Sequence, residues 1–226
     1  MCSSDLAGIA KTVVHSVATA KEQVHSINRF LGSWVGHAAL HPFGTLHPDM
    51  EAGELREEMA HVLEEGLHGI KLHPDCQRFA ADGKRARRMM DAVAEEAPGF
   101  PVLLHAGDRR FEFSHPRQVA ALAKDYPGLT FVAAHFGGWG EWADVGVYEG
   151  VENVYFDTSS TLSWLEKGKA EGLIRRFGAG RFFFATDYPM WDTGEELGRF
   201  NALGLTAAER EAILGANARR GLGVEG

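Results

Sequence analysis

Seven short, nearly continuous apolar runs alternate with longer stretches whose apolar residues recur three and four apart, a pattern that predicts an α/β fold with a parallel sheet. Several runs end in a titratable side chain, as in "PVLLHAGD" at His105, "FVAAHFGG" at His135 and "RFFFATDYP" at Asp187. Polar groups at the C-terminal ends of buried parallel strands are where a TIM-type (β/α)8 barrel carries its chemistry. An open doubly wound sheet would place a glycine-rich phosphate loop after its first strand, and "VVHSVATAKEQ" has none. The predicted fold is therefore such a barrel, incomplete by one strand and spanning residues 1–226 as a single domain.

The predicted strands are, in order, "KTVVHSVA" from Lys11, "ALHPFGTL" from Ala39, "HGIKLH" from His68, "FPVLLH" from Phe100, "LTFVAAH" from Leu129, "NVYFDT" from Asn153 and "RFFFATD" from Arg181. Their continuous apolar character means that both faces are covered. Helices lie between them. Thr19, Thr193 and Thr206 each precede a glutamate by three residues, the spacing of a capping box. Leu55, Met59, Val62 and Leu63 share one helical face, as do Met89, Met90 and Val93, and Gly66 suits a left-handed helix end.

The composition excludes several functions. Lys and Arg number 23 against 31 Asp and Glu, a formal net charge of −8 with scattered basic residues, which offers nucleic acid no electrostatic footprint. No apolar run reaches the roughly 18 to 20 residues that a membrane span needs. Cys2 and Cys76 form neither a CxxC pair nor a disulfide framework, which points to a cytoplasmic location. The sequence also holds 11 histidines, and it is their positions that carry information.

In a barrel, His105, His135 and Asp187 converge on one mouth. Imidazole nitrogens and a carboxylate suit zinc and similar divalent ions, and an open coordination position would activate water or polarise a carbonyl. The glycines after His105 and His135 suggest a backbone that something approaches closely. Asp187 could instead cap a helix, although Tyr188 and Pro189 follow it directly. Lys71 and His73 alternate with apolar neighbours and face one side, either as pocket groups or as an internal ion pair and a wall. His47 and Asp157 are further pocket candidates, and His15 is a weaker one. His37 and His41 lack the glutamate of a helical zinc pair, and Pro42 ends any helix. His25, His61 and His68 read as solvated or packed side chains. Ser159 and Ser160 lack the Gly-x-Ser-x-Gly turn that would expose a nucleophile.

Eight segments, "GTLHPD", "GIKLHPD", "PVLLHAGD", "SHPRQVAAL", "FVAAHFGGW", "VYFDTS", "FFATDYP" and "ILGANARR", occur in an order that resembles the amidohydrolase superfamily, in its amidohydrolase-related branch of metal-dependent hydrolases and aromatic-acid decarboxylases. The resemblance implies a divalent metal, zinc first, held by His105 and Asp187. It makes His135 and Asp187 the catalytic pair, with Asp187 also moving the proton. Lys71 falls on the strand where some members carry a modified, metal-bridging lysine. The family's first strand supplies two further ligands from His-x-His or Glu-x-His, and no His-x-His occurs in this chain. "LAGIAKTVV" matches the approach to the family's second strand, so the chain is expected to be N-terminally truncated relative to the family, with "MCSSDL" as a junction sequence.

The resemblance leads first to a hydrolase that acts on a small organic substrate through metal-activated water. Non-oxidative decarboxylation of a carboxylated aromatic at the same metal is the alternative, and a catalytically inactive barrel is a third reading, favoured by the missing ligands. Arg109, Arg110 and Trp139 could contact an anionic or aromatic substrate from the mouth loops, but exposed arginines usually mean only a solvated surface. A small-molecule partner, no nucleic acid, no membrane and a homodimer by analogy complete the expectations.

Overall fold

The computed structural model describes residues 8–224; the head "MCSSDL" lies outside them. All seven predicted strands are present: β1 (Thr12–His15), β2 (Leu40–Thr45), β3 (Ile70–Leu72), β4 (Pro101–Leu104), β5 (Thr130–Ala133), β6 (Val154–Asp157) and β7 (Phe182–Phe183). They pair in parallel in sequence order, β1 to β7. The sheet curls into an incomplete TIM barrel whose edges are β1 and β7. Among the described residues no strand joins those edges.

Parallel partners face the same side of a sheet, so the register identifies the inner wall. One inner row runs Thr45, Lys71, Leu103, Val132, Tyr155 through four consecutive pairings. Phe43, Leu103, Val132, Ala134 and Phe183 form an inner apolar cluster, closed from one end by Leu222 and Val224 of the C-terminal segment. His41 Nε2 lies 3.0 Å from the Leu222 carbonyl and its ring stacks on His68, which accounts for two of the histidines as packing groups. Two residues beyond Lys71, Leu103 and Tyr155 the inner wall turns polar, at His73, His105 and Asp157.

The helices that connect and flank the strands are α1 (Val24–Gly32), α2 (Ala52–Glu64), the short α3 (Pro74–Gln77), α4 (Lys84–Glu96), α5 (Pro116–Asp125), α6 (Lys167–Phe177), α7 (Thr193–Asn201), α8 (Ala207–Glu211) and α9 (Asn217–Leu222). Leu55, Met59 and Val62 of α2 and Met89, Met90 and Val93 of α4 are buried as predicted, whereas Leu63 is exposed because it lies at the margin of that stripe. Each buried side chain of this size contributes roughly 1.5–3 kcal/mol. Gly66 takes the left-handed conformation expected after α2. Thr206 forms its capping box, accepting from the Glu209 amide at 3.2 Å. The other two boxes are displaced. Asp192, not Thr193, caps α7 by accepting from the Glu195 amide, since a carboxylate one residue earlier is an equally good acceptor. At Thr19 it is the Gln23 side chain, not Glu22, that takes the backbone N–H. No helix among the described residues is long and apolar enough to cross a membrane.

Candidate active site

Strand periodicity turns His73, His105 and Asp157 into the barrel and brings them to its C-terminal end. The rings of His73 and His105 stack with centroids 3.8 Å apart and planes 12° apart. His105 Nδ1 lies 3.0 Å from His135 Nε2. His135 Nδ1 in turn lies 3.0 Å from the Ser159 carbonyl and 2.9 Å from Ser159 Oγ. Asp157 Oδ1 fastens the far end, accepting from the His135 amide at 2.9 Å, the Ser159 amide at 3.0 Å and Ser159 Oγ at 2.5 Å.

This chain of bonds assigns the tautomers. A carbonyl oxygen only accepts, so His135 Nδ1 carries the proton and, in the neutral ring, Nε2 presents a lone pair. His105 Nδ1–H then donates to it, which leaves the lone pair of His105 Nε2 bare. That nitrogen is buried with no hydrogen-bond partner. It lies 3.4 Å from Asp75 Oδ2, while Asp75 Oδ1 is also buried and unpartnered.

The electrostatics point the same way. Burial, followed by the His135, His73 and Lys71 charges, holds the His105 imidazole well below its ordinary value. Burial and Lys71 bring His73 down to about 3. Burial raises the Asp75 carboxyl to about 6, partly offset by the hydrogen bond from Ser114 Oγ at 2.5 Å. With the His105 imidazole held neutral no ion pair forms across the 3.4 Å gap, and above about pH 6 the Asp75 carboxylate and His105 Nε2 are two acceptors facing each other. A cation between them would satisfy both. His73, Asp75 and His105 offer one donor atom each, all within 4.8 Å of one another. The donor set and its orphaned atoms fit a divalent metal ion.

Asp187 lies in the loop four residues beyond β7, with φ of +62°, and its Oδ2 accepts from Ser160 Oγ at 2.6 Å. Burial acts to raise its carboxyl, but the Ser160 hydrogen bond and the His135, Lys71 and His15 charges outweigh it and hold the group below the usual range. Lys71 is buried, which lowers its ammonium, against the opposing pull of Asp157 and Asp187. His15 joins this set from the open edge. It is exposed to solvent, and the nearby Lys71 charge acts to lower its imidazole while Asp187 acts to raise it.

The structure thus gathers His105, His135, Lys71, His73, Asp157 and Asp187 around one space. His105 makes its close donor group with His73 and Asp75, while Asp187 is held by Ser160 of the loop after β6. His47 makes local contacts, accepting from the Asp49 amide at 3.2 Å, in a cleft with Cys76 and Arg85. Arg110 is already paired with Asp108 at 2.7 Å and lies over the Trp139 ring, so its charge is spoken for.

The glycines have a different role from the one expected. A Cβ on Gly107, at φ +82°, would come within 2.3 Å of the Trp139 amide nitrogen, so it is the chain's own backbone, not a ligand, that approaches there. A Cβ on Gly137 would meet the Tyr148 and Phe156 rings at 2.8 and 2.9 Å. His135 and Phe136 are left-handed at φ +61° and +55°, held by the Asp157 bond and by Trp142 Nε1, which donates to the His135 carbonyl. Asp75, Ser159 and Ser160 were not singled out as site residues. Their one sequence signal is proximity to His73 and Asp157, because the partners that give them a role are 24 to 39 positions away.

The amidohydrolase family model matches residues 5–224, and the chain belongs to this family. Among solved structures, a TIM-barrel protein from Bordetella bronchiseptica is similar at 22% identity and TM-score 0.81, covering 98% of this chain and 80% of its own. The 5-carboxyvanillate decarboxylase of Sphingomonas paucimobilis is similar at 14% identity and TM-score 0.79, covering 99% and 82%. A dihydroxybenzoic acid decarboxylase from Polaromonas, solved with manganese and 2-nitroresorcinol, is similar at 18% identity and TM-score 0.77, covering 98% and 84%. No curated protein matches the sequence.

Proposed function

We propose that this site carries out metal-dependent, non-oxidative decarboxylation of a small carboxylated aromatic substrate. The observation that carries the reading is the bare, buried Nε2 of His105 beside Asp75, in the same space as the ionised Asp187. The similarity to decarboxylases of hydroxylated aromatic acids supports this reaction over the hydrolysis expected first, which would use the same residues.

A divalent ion, manganese or zinc, would be held by His105, with His73 and Asp75 beside it and Asp187 facing the same space. When bound it would neutralise the substrate carboxylate and a neighbouring hydroxyl oxygen. Lys71, buried among carboxylates, favours an anionic substrate. Asp187 is held ionised, so it can take a proton from the substrate hydroxyl and return it to the ring carbon that bears the carboxylate. The bond to the carboxylate then breaks, its electron pair restores the aromatic ring, and carbon dioxide leaves. His135, its tautomer set by Ser159, orients His105 and presents no acidic proton on Nε2.

The test is to load the chain with Mn²⁺ or Zn²⁺ and assay carbon dioxide release from a panel of ortho-hydroxylated benzoates, in parallel with ester, amide and lactone hydrolysis. Decarboxylation that Asp187→Asn abolishes is the expected result. Hydrolysis without carbon dioxide release, or release indifferent to Asp187→Asn and His135→Asn, would overturn the reading.

A further inference from the structure

A second group of metal donors lies outside the barrel, where α1 crosses α2. His25 of α1 and Glu58 and His61 of α2 offer one donor atom each, all within 4.8 Å of one another. Glu58 and His61 are three apart, so they emerge side by side from one helical face, the Glu-x-x-His spacing that helical metal sites use. The rings of His25 and His61 stack at 4.2 Å, and His25 Nδ1 lies 3.3 Å from Glu58 Oε2.

Two features separate this group from a chance surface cluster. Glu58 is buried, and its second oxygen accepts from Asn28 Nδ2 at 2.8 Å. Asn28 is itself fully buried and clamped to β2, donating to the Thr45 carbonyl and accepting from the Thr45 amide. A carboxylate held by such an outer partner is pre-oriented, as ligating carboxylates are. The second feature is that His61 Nε2 is buried without a hydrogen bond; the nearest acid, Glu65, is 3.7 Å away. His61 thus has a ring nitrogen free of any hydrogen bond. The cleft in front of the group adds Glu22, Glu54 and Glu57 against one Lys21, a field that attracts cations.

We propose that His25, Glu58 and His61 form a binding site for a divalent transition metal of the zinc class, with a fourth position open to water, that ties α1 to α2. Two imidazoles and one carboxylate suit Zn²⁺ and its neighbours and disfavour Mg²⁺ and Ca²⁺, which prefer oxygen donors alone. The site is independent of the barrel mouth.

The experiment titrates Zn²⁺ into the full chain by calorimetry, using wild type, His25→Ala and the His105→Ala/Asp187→Ala double variant, with zinc-induced shifts of the His25 and His61 imidazole resonances as a second readout. His25 is exposed, so its truncation leaves the core intact. The double variant should keep a binding event that His25→Ala weakens by about 100-fold or more, and both imidazoles should shift. An unchanged zinc isotherm in His25→Ala, no event in the double variant, or imidazole resonances that zinc leaves in place would each overturn the proposal.

Discussion

Replacing Asp157 tests how the site is held together. All three of its hydrogen bonds fall on one oxygen, Oδ1, from the His135 amide, the Ser159 amide and Ser159 Oγ. Asp157→Ala leaves these buried donors without their acceptor, at roughly 1–3 kcal/mol per orphaned group. Relaxation of His135 and Phe136 out of the left-handed conformation, which costs about 1–2 kcal/mol per residue, returns part of this loss. Because the three bonds share one oxygen they are not additive, and a total near 4 kcal/mol follows. Asp157→Asn keeps an amide oxygen in place of Oδ1 and should cost about 1 kcal/mol. In urea, with a slope of about 2 kcal/mol/M, the alanine variant should unfold about 2 M earlier than wild type and the asparagine variant about 0.5 M earlier. Equal losses in the two would mean that the charge, not the acceptor geometry, is what matters. A loss below about 1 kcal/mol for alanine would refute the role assigned to these bonds.

Three further outcomes follow from individual residues. In the metal-free chain Asp75, raised to about 6 from 3.8, holds its proton in the folded state at pH values where the unfolded chain has released it, so stability falls as pH rises from about 4 to 6 and is flat above. At about 1.36 kcal/mol per unit the loss is up to roughly 3 kcal/mol, and Asp75→Asn, or a bound divalent ion, should remove that slope in pH-dependent urea unfolding. Gly107→Ala would drive a Cβ into the Trp139 backbone from a left-handed position and should cost on the order of 3 kcal/mol, visible as a lowered Tm. Ser160→Ala removes the hydrogen bond that favours ionised Asp187, so the acid limb of the pH–activity profile should move upward.

The seven strands were legible because a strand covered on both faces must be apolar along its length, and the polar residue that ends such a run marks itself. That is how His105, His135 and Asp187 stand out from the other histidines. What escaped is what depends on distance. Ser159 and Ser160 have no local signature, since their meaning lies in His135 and Asp187, which reach them only once the sheet curls. Asp75 hides in the first turn of a four-residue helix, and His15 stands at an edge that sequence periodicity cannot place beside Lys71. The glycines after His105 and His135 were visible, but a requirement for close approach does not say what approaches, and here it is Trp139, Tyr148 and Phe156. Capping was misplaced at Thr193 for a similar reason: Asp192 and Thr193 are both competent caps, and the chain's entry into α7 chooses between them.

The central claim is that His105 presents a bare nitrogen to a divalent ion. Its most direct test is metal content after dialysis against Mn²⁺ or Zn²⁺, measured by plasma mass spectrometry in a His25→Ala background so that the helical site does not contribute. About one equivalent that His105→Ala abolishes, with circular dichroism unchanged, is the predicted result. A folded chain that retains no metal, or retains the same metal without His105, would contradict it.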